Sequence, residues 1–244
     1  MKMKVIIAKD YQEMSKLAAE IMIDVVKNKP NATMGFATGT TPLGLYEYMI
    51  KDHKENGTSY KQVKTLNLDE YVGLEGTHNQ SYKYFMKHNL FDSLDLDQNN
   101  INIENGMAQD IEKECARYTA LIQSMPQDIQ LLGLGSNGHI AFNEPNTPFG
   151  STTHIVNLTE NTIKDNSRLF NSIDEVPRQA LTMGIKDIMN AKKLLVIANG
   201  KNKQQAVYET VYGKVDENVP SSVLKLHPDC TLIVDADAGA LLNK

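Results

Sequence analysis

The sequence predicts an α/β chain, an open and mainly parallel sheet with helices on both faces. Short apolar, β-rich runs alternate with longer stretches whose apolar residues recur at three- and four-residue steps. The short runs are apolar along their whole length, as strands covered on both faces are. Two of them end in acidic or glycine-rich turns, at the strand ends where open parallel sheets bind ligands.

Val5–Ala8 is the first strand, too brief an apolar run for a signal-peptide core. Tyr11–Lys27 follows as a helix, with Met14, Leu17, Ala18, Ile21, Met22 and Val25 on one face. Thr33–Ala37, Lys64–Leu68, Ile129–Leu134, Leu194–Ala198 and Thr231–Val234 read as buried strands. Leu43–Ile50, Ser81–Asn89, Ile111–Ser124, Lys203–Val211 and a final turn at Ala238–Leu242 read as the helices between them. The stretch from Asn143 to Ala180 breaks this rhythm: Pro145, Pro148 and Gly150, then Thr152–Leu158, a Thr159-capped helix through Phe170, and a turn at Val176-Pro177. Such an insertion is either a lid over the sheet or an irregular crossover. With no repeat or flexible linker, residues 1–244 read as a single domain.

Composition excludes several classes. Of the 244 residues 41% are hydrophobic and 23% charged, ordinary for a globular chain, and no tract has the apolar length of a membrane span. A net charge of −5 argues against a nucleic-acid partner. The two cysteines, Cys115 and Cys230, have neither zinc-knuckle nor disulfide-framework spacing and fit a reducing cytoplasm.

Three stretches carry chemistry. Ala37-Thr38-Gly39-Thr40-Thr41-Pro42 lies between a strand and a helix. Its hydroxyls, its glycine and the helix start suit a phosphate, although Thr-Thr-Pro also serves as a plain helix cap. Leu66-Asn67-Leu68-Asp69-Glu70-Tyr71 ends a strand with two acids. Because strand side chains alternate, Asp69 and Glu70 should not face one pocket; one is a base and the other structural, or both cap the next helix or sit in a solvated loop. Leu134-Gly135-Ser136-Asn137-Gly138-His139 opens a glycine-rich turn after a strand, with Glu144 five residues beyond the histidine. Exposed imidazole, neighbouring amide and orienting carboxylate form an acid–base set. His53, His78, His88 and His227 lie among polar or turn residues and read as surface groups; His154 falls in the irregular stretch. Arg168 and Lys203 are the cations able to complete an anion site.

The strings LNLDEYVGL, GSNGHIAFNEP, TGTTP, NSR and NGKNK, in this order, resemble the glucosamine-6-phosphate deaminase family over nearly the whole chain. The resemblance implies a modified Rossmann-like sheet with a lid at about 143–180, no metal or redox cofactor, and conversion of glucosamine 6-phosphate to fructose 6-phosphate and ammonia. By position, Asp69 resembles the base that moves a proton from sugar carbon 2 to carbon 1. His139 resembles the ring-opening acid–base group, oriented by Glu144. Asn137 stands where other members carry Asp; its amide can hold the ring by hydrogen bonding but cannot stabilise an imidazolium by charge. Thr38, Gly39, Thr40, Thr41, Arg168 and Lys203 match the phosphate cradle.

A 6-phosphogluconolactonase-like hydrolase, a sugar-phosphate sensor without catalysis and an isomerase that keeps the nitrogen are the alternatives. Ile140-Ala141-Phe142-Asn143-Glu144-Pro145 and LDEYVGL favour the deaminase, and no DNA-binding domain fits before Val5 or after Leu242. With the chain ending at Lys244 and no basic cluster from Thr147 to Val156, a monomer or small homo-oligomer without activation by N-acetylglucosamine 6-phosphate is expected.

Overall fold

Strands buried on both faces need a neighbour along each edge, and the apolar runs find them in one sheet. The computed structural model describes residues 3–158, 160, 163, 170 and 172–242. In chain order its strands are β1 (Lys4–Ile7), β2 (Thr33–Phe36), β3 (Lys64–Asn67), β4 (Asp69–Tyr71), β5 (Ile101–Asn102), β6 (Ile129–Gly133), β7 (His154–Asn157), β8 (Gln179–Thr182), β9 (Leu194–Ala198) and β10 (Cys230–Val234). Seven form a sheet in the order β1-β10-β9-β6-β2-β3-β5, with every pairing parallel. The other three form a small antiparallel sheet, β4-β8-β7.

The helices are α1 (Tyr11–Asn28), α2 (Leu43–Asn56), α3 (Tyr82–Asn89), α4 (Ile111–Ser124), α5 (Ile185–Met189) and α6 (Gln204–Tyr212). Of the apolar face read for α1, Met14, Ala18 and Met22 are buried while Leu17, Ile21 and Val25 are only partly so; the buried face is turned toward Ala19, Ile23 and Val26. Asp10, Ser81 and Asp110 cap α1, α3 and α4 by accepting the N–H three residues on. α2 runs six residues beyond its expected end, to Gly57 in the left-handed conformation at φ +73°. The last turn, Lys51–Asn56, is polar and carries no apolar spacing to announce it.

From β2 the chain moves outward through β3 to β5, and then returns to β6 and outward the other way through β9 and β10. The order reverses between β2 and β6, the switch point at which open parallel sheets form a crevice beyond their carboxyl ends. The irregular stretch contributes β7 and the first two residues of β8, so its carboxyl end is held in the small sheet, β7 pairing with β8 and β8 with β4. Thr159, most of the helix expected after it, and Arg168 lie outside the described residues. No helix among the described residues is long and apolar enough to cross a membrane.

Candidate active site

The cleft at the switch point has a volume of roughly 260 Å³ and is walled by the carboxyl ends of β2, β3, β6 and β9. It brings together Thr38, Gly39, Thr40, Thr41, Asp69, His139 and Lys203 from four separate stretches of sequence.

The two adjacent acids divide as strand alternation requires. Asp69 is 7% exposed and lines the cleft. Burial, and then the charge of Glu70, push its carboxyl up to about 8. Glu70 points away: its oxygens accept the backbone N–H groups of Tyr71, Tyr82 and Lys83 at 2.9–3.0 Å. It thereby serves free amides at the first turn of α3, a structural role.

His139 sits on the turn after β6. Its Nδ1 lies 3.4 Å from Glu144 Oε1, an ion-pair distance too long and poorly directed for a hydrogen bond. The imidazole, more than any other group, holds the Glu144 carboxyl below its usual range; the Asn137 amide adds to this. Asn137 does not hold the ring, as its position had suggested. Its Nδ2 donates to Glu144 Oε2 at 2.7 Å, and its Oδ1 accepts the backbone N–H of His139 at 3.1 Å. The amide therefore aims the carboxylate and closes the turn, and the Glu144 carboxylate faces the imidazole.

The turn is held tightly. Asn143 is fully buried, and its amide donates to the carbonyls of Ile140 and Met183 at 2.9 Å. Ala141 takes the left-handed conformation, φ +52°, in the cleft wall, a strain typical of functional loops. Gly135 lies under the imidazole, where a Cβ would stand 2.5 Å from the ring atoms. Gly135→Ala is thus expected to displace the ring and cut kcat at least tenfold while leaving the thermal unfolding midpoint within about 3 °C, since the atoms that the Cβ would meet belong to the half-exposed imidazole, which has room to swing outward. Steady-state kinetics beside calorimetry on the same preparation checks this, and unchanged kcat would show that the ring position is not critical.

After β2, which lies between β6 and β3 in the sheet, the 38–41 loop turns on Gly39 at φ +96°. Pro42 occupies the cap position of α2 with no side-chain cap; the threonines are not spent on capping. The Thr41 hydroxyl donates instead to Asn199 Oδ1 at 2.8 Å, which joins this loop to the turn after β9. Asp235, buried at the end of β10, accepts the Gly200 N–H at 3.0 Å and the Ala238 N–H at 2.8 Å, and so fixes the turn that carries Lys203. Burial lowers the Lys203 ammonium.

Sequence reading missed Tyr82, Asn199 and Asp235. Tyr82, half-buried, lines the cleft, and its one sequence signal is the Ser81 cap that starts α3 beside the strand end. His227 is a correction. It is buried, not at the surface, with Nε2 at 2.7 Å from the Ala191 carbonyl and Nδ1 accepting the Asp229 N–H, a pin between two turns. Among the described residues no cluster of three or more His, Cys, Asp or Glu is arranged to hold a metal.

Residues 8–233 match the family described as glucosamine-6-phosphate isomerases/6-phosphogluconolactonase. The chain belongs to this family. A glucosamine-6-phosphate deaminase of Clostridium novyi (strain NT) is 51% identical, over 98% of this chain and 100% of that one. One from Halalkalibacterium halodurans is 50% identical, over 97% and 96%. The solved structure of a monomeric glucosamine-6-phosphate deaminase superposes with a TM-score of 0.95 at 45% identity, over 98% of this chain and all of that one. A 6-phosphogluconolactonase from Trypanosoma cruzi superposes at 0.80 with 18% identity, over 100% and 98%, a likeness of fold alone.

Proposed function

We infer that this chain isomerises and deaminates glucosamine 6-phosphate, yielding fructose 6-phosphate and ammonia. The observation that carries it is the meeting of a dehydrated carboxylate, Asp69, with an imidazole–carboxylate pair, His139 and Glu144, in one cleft that a threonine loop and a lysine also line. Relatives about half identical over their full length carry the same activity by name.

His139 moves a proton between the ring oxygen and the anomeric hydroxyl, opening the sugar, while Glu144 steadies its charged form. Asp69, little solvated, takes the proton from carbon 2 and returns it to carbon 1. Water then adds at carbon 2, and the carbinolamine expels ammonia. None of these steps calls for a cofactor. The phosphate rests against Thr38, Gly39, Thr40, Thr41 and Lys203, with Arg168 as a second cation, and this remote grip holds carbon 2 at the base. Segment 143–180 is read as the lid of a single domain, since it starts at the catalytic turn and ends paired to β4. The monomeric relative favours a monomer or small homo-oligomer over a large assembly.

The deciding experiment is ammonia release from glucosamine 6-phosphate by pure protein, with 6-phosphogluconolactone hydrolysis assayed in parallel; hydrolysis without ammonia release would reverse the assignment. In the same system Lys203→Ala is expected to weaken glucosamine 6-phosphate binding by about 1.5–3 kcal/mol, the range for hydrogen bonds to charged groups, and to leave unphosphorylated glucosamine almost unaffected. Equal losses for both sugars would place the lysine away from the phosphate.

A further inference from the structure

The threonine loop has no cap of its own. Pro42 stands at the cap of α2 without a side-chain partner, and the Thr41 hydroxyl is spent on Asn199. Two phenols from outside the loop hold it instead. The Tyr11 hydroxyl, at the start of α1, accepts the Gly44 N–H from the first turn of α2 at 2.8 Å. Its own proton is shared between the carbonyls of Thr41 at 3.1 Å and Thr40 at 3.3 Å. Tyr46, fully buried on α2, donates to the Ala37 carbonyl and accepts the Ala37 N–H at 3.3 Å. One tyrosine thus grips the loop where it leaves β2, the other where it enters α2.

The grip of Tyr11 depends on a close approach of α1 to α2. A Cβ on Gly44 would lie 2.6 Å from Ser15 Oγ and 3.0 Å from the Tyr11 ring, so a side chain there would push the phenol off the loop. The bonds fix direction as well as place. In a planar trans peptide the C=O and the N–H of the next residue point opposite ways. With the Ala37 carbonyl turned to Tyr46, the Thr38 N–H points the other way; with the Thr40 carbonyl turned to Tyr11, so does the Thr41 N–H. The Thr41 carbonyl precedes Pro42, so no donor is lost there. Neither tyrosine lines the cleft, whereas Thr38 and Thr41 both do, and among the described residues no acceptor meets the N–H of either. Two amides are left unpaired beside the cleft, a state that an anion completes. A phenol achieves this without charge, where an aspartate cap would set a negative charge beside the ligand.

We propose that Tyr11 and Tyr46 are positioning residues of the phosphate cradle: their hydroxyls hold three loop carbonyls off the cleft and so aim the Thr38 and Thr41 N–H groups at the phosphate. They touch no substrate atom and act through the loop. The presence of phosphate at this loop rests on the deaminase reading, and Lys203→Ala separates the two.

The test is titration of the full chain with inorganic phosphate, beside steady-state kinetics with glucosamine 6-phosphate. Tyr11→Phe keeps the ring and removes the hydroxyl. It is expected to raise the phosphate dissociation constant and the KM by the same factor, about 3–10-fold, the net effect of roughly one hydrogen bond, with kcat within about twofold and glucosamine binding unchanged. A residue that only stabilised the fold would lower the unfolding midpoint without this pattern. Unchanged phosphate affinity in Tyr11→Phe, where Lys203→Ala weakens it, overturns the positioning role and keeps the phosphate reading. No weakening in either variant takes phosphate away from this loop and overturns both. Equal losses for glucosamine and its phosphate in Tyr11→Phe would mark a general disturbance of the cleft and also overturn the role. A second measurement needs only wild-type protein: the amide proton resonances of Thr38 and Thr41 should move downfield, toward a stronger hydrogen bond, and saturate with added phosphate. If these two amides stand still while phosphate binds, the proposal fails whatever the variants do.

Discussion

Replacing Asp69 by Asn is expected to lower kcat by at least about 10³-fold while the affinity for glucosamine 6-phosphate changes less than about threefold. The amide preserves the shape of the side chain but cannot accept a proton from carbon, and the proposed phosphate contacts come from other loops, after β2 and β9. Exchange of deuterium from solvent into carbon 2 should disappear with turnover, which separates loss of the base from loss of ring opening. Turnover near the wild-type level would remove Asp69 from the role. Glu70 offers no ready substitute, because its carboxylate faces the other side of β4 and is held by three N–H groups.

The same residue sets two pH dependences of opposite sense. A base must be ionised, so with its carboxyl at about 8 in the free protein, kcat/KM should climb with pH up to about 8. Stability runs the other way. A carboxyl whose folded pKa is raised binds its proton more tightly in the native state, so its contribution is most favourable below the unfolded value near 3.8. That contribution is lost as pH rises to about 8. Asp69→Asn, which carries no charge, should therefore unfold at a higher temperature than wild type at pH 8, and the gap should close toward pH 4. Melting curves at pH 4, 6 and 8 measure it; a gap that does not vary with pH would mean that Asp69 is already solvated and ionised when folded. The cleft stores a destabilised base, at a cost to the fold that appears only where the base is active.

The central strands were legible because burial on both faces leaves a run of apolar residues that only a strand or a buried helix satisfies, and their shortness decides between the two. β4, β5 and β8 were not, since strands of two to four residues with mixed polarity leave no pattern. The second sheet, on which the irregular stretch is anchored, was therefore invisible. At the site, Asp69 and His139 could be read because acids and a glycine-flanked imidazole at strand ends are unusual in themselves. Alternation predicted that Asp69 and Glu70 would part, though not which would face the cleft; that depends on where α3 begins. Asn137 was legible as a neighbour of His139, but its partner was not, because its reach to Glu144 crosses seven residues of irregular backbone. Asp235 carries no local signal, because it acts through a turn 35 residues earlier.

His139→Gln is expected to lower kcat/KM for the closed-ring sugar by about 10²–10⁴-fold, the usual contribution of a positioned acid–base group, and to spare an open-chain analogue to within about tenfold. The argument is geometric. The ring lies over Gly135 at the mouth of the cleft with one nitrogen turned to Glu144, which leaves the other for the sugar, whereas Asp69 is set deeper at the end of β3. The two groups therefore act on different parts of the substrate, the imidazole at the ring oxygen and anomeric hydroxyl, the carboxylate at carbons 1 and 2. Glutamine keeps a hydrogen-bonding side chain in that place but cannot carry a proton between two oxygens. Glu144→Gln should reproduce a smaller part of the same bias, because it leaves the imidazole present while removing the charge that steadies its protonated form, with Asn137 still able to hold the amide. Equal losses on closed and open forms in the His139 variant would instead place the imidazole in the isomerisation step, beside Asp69.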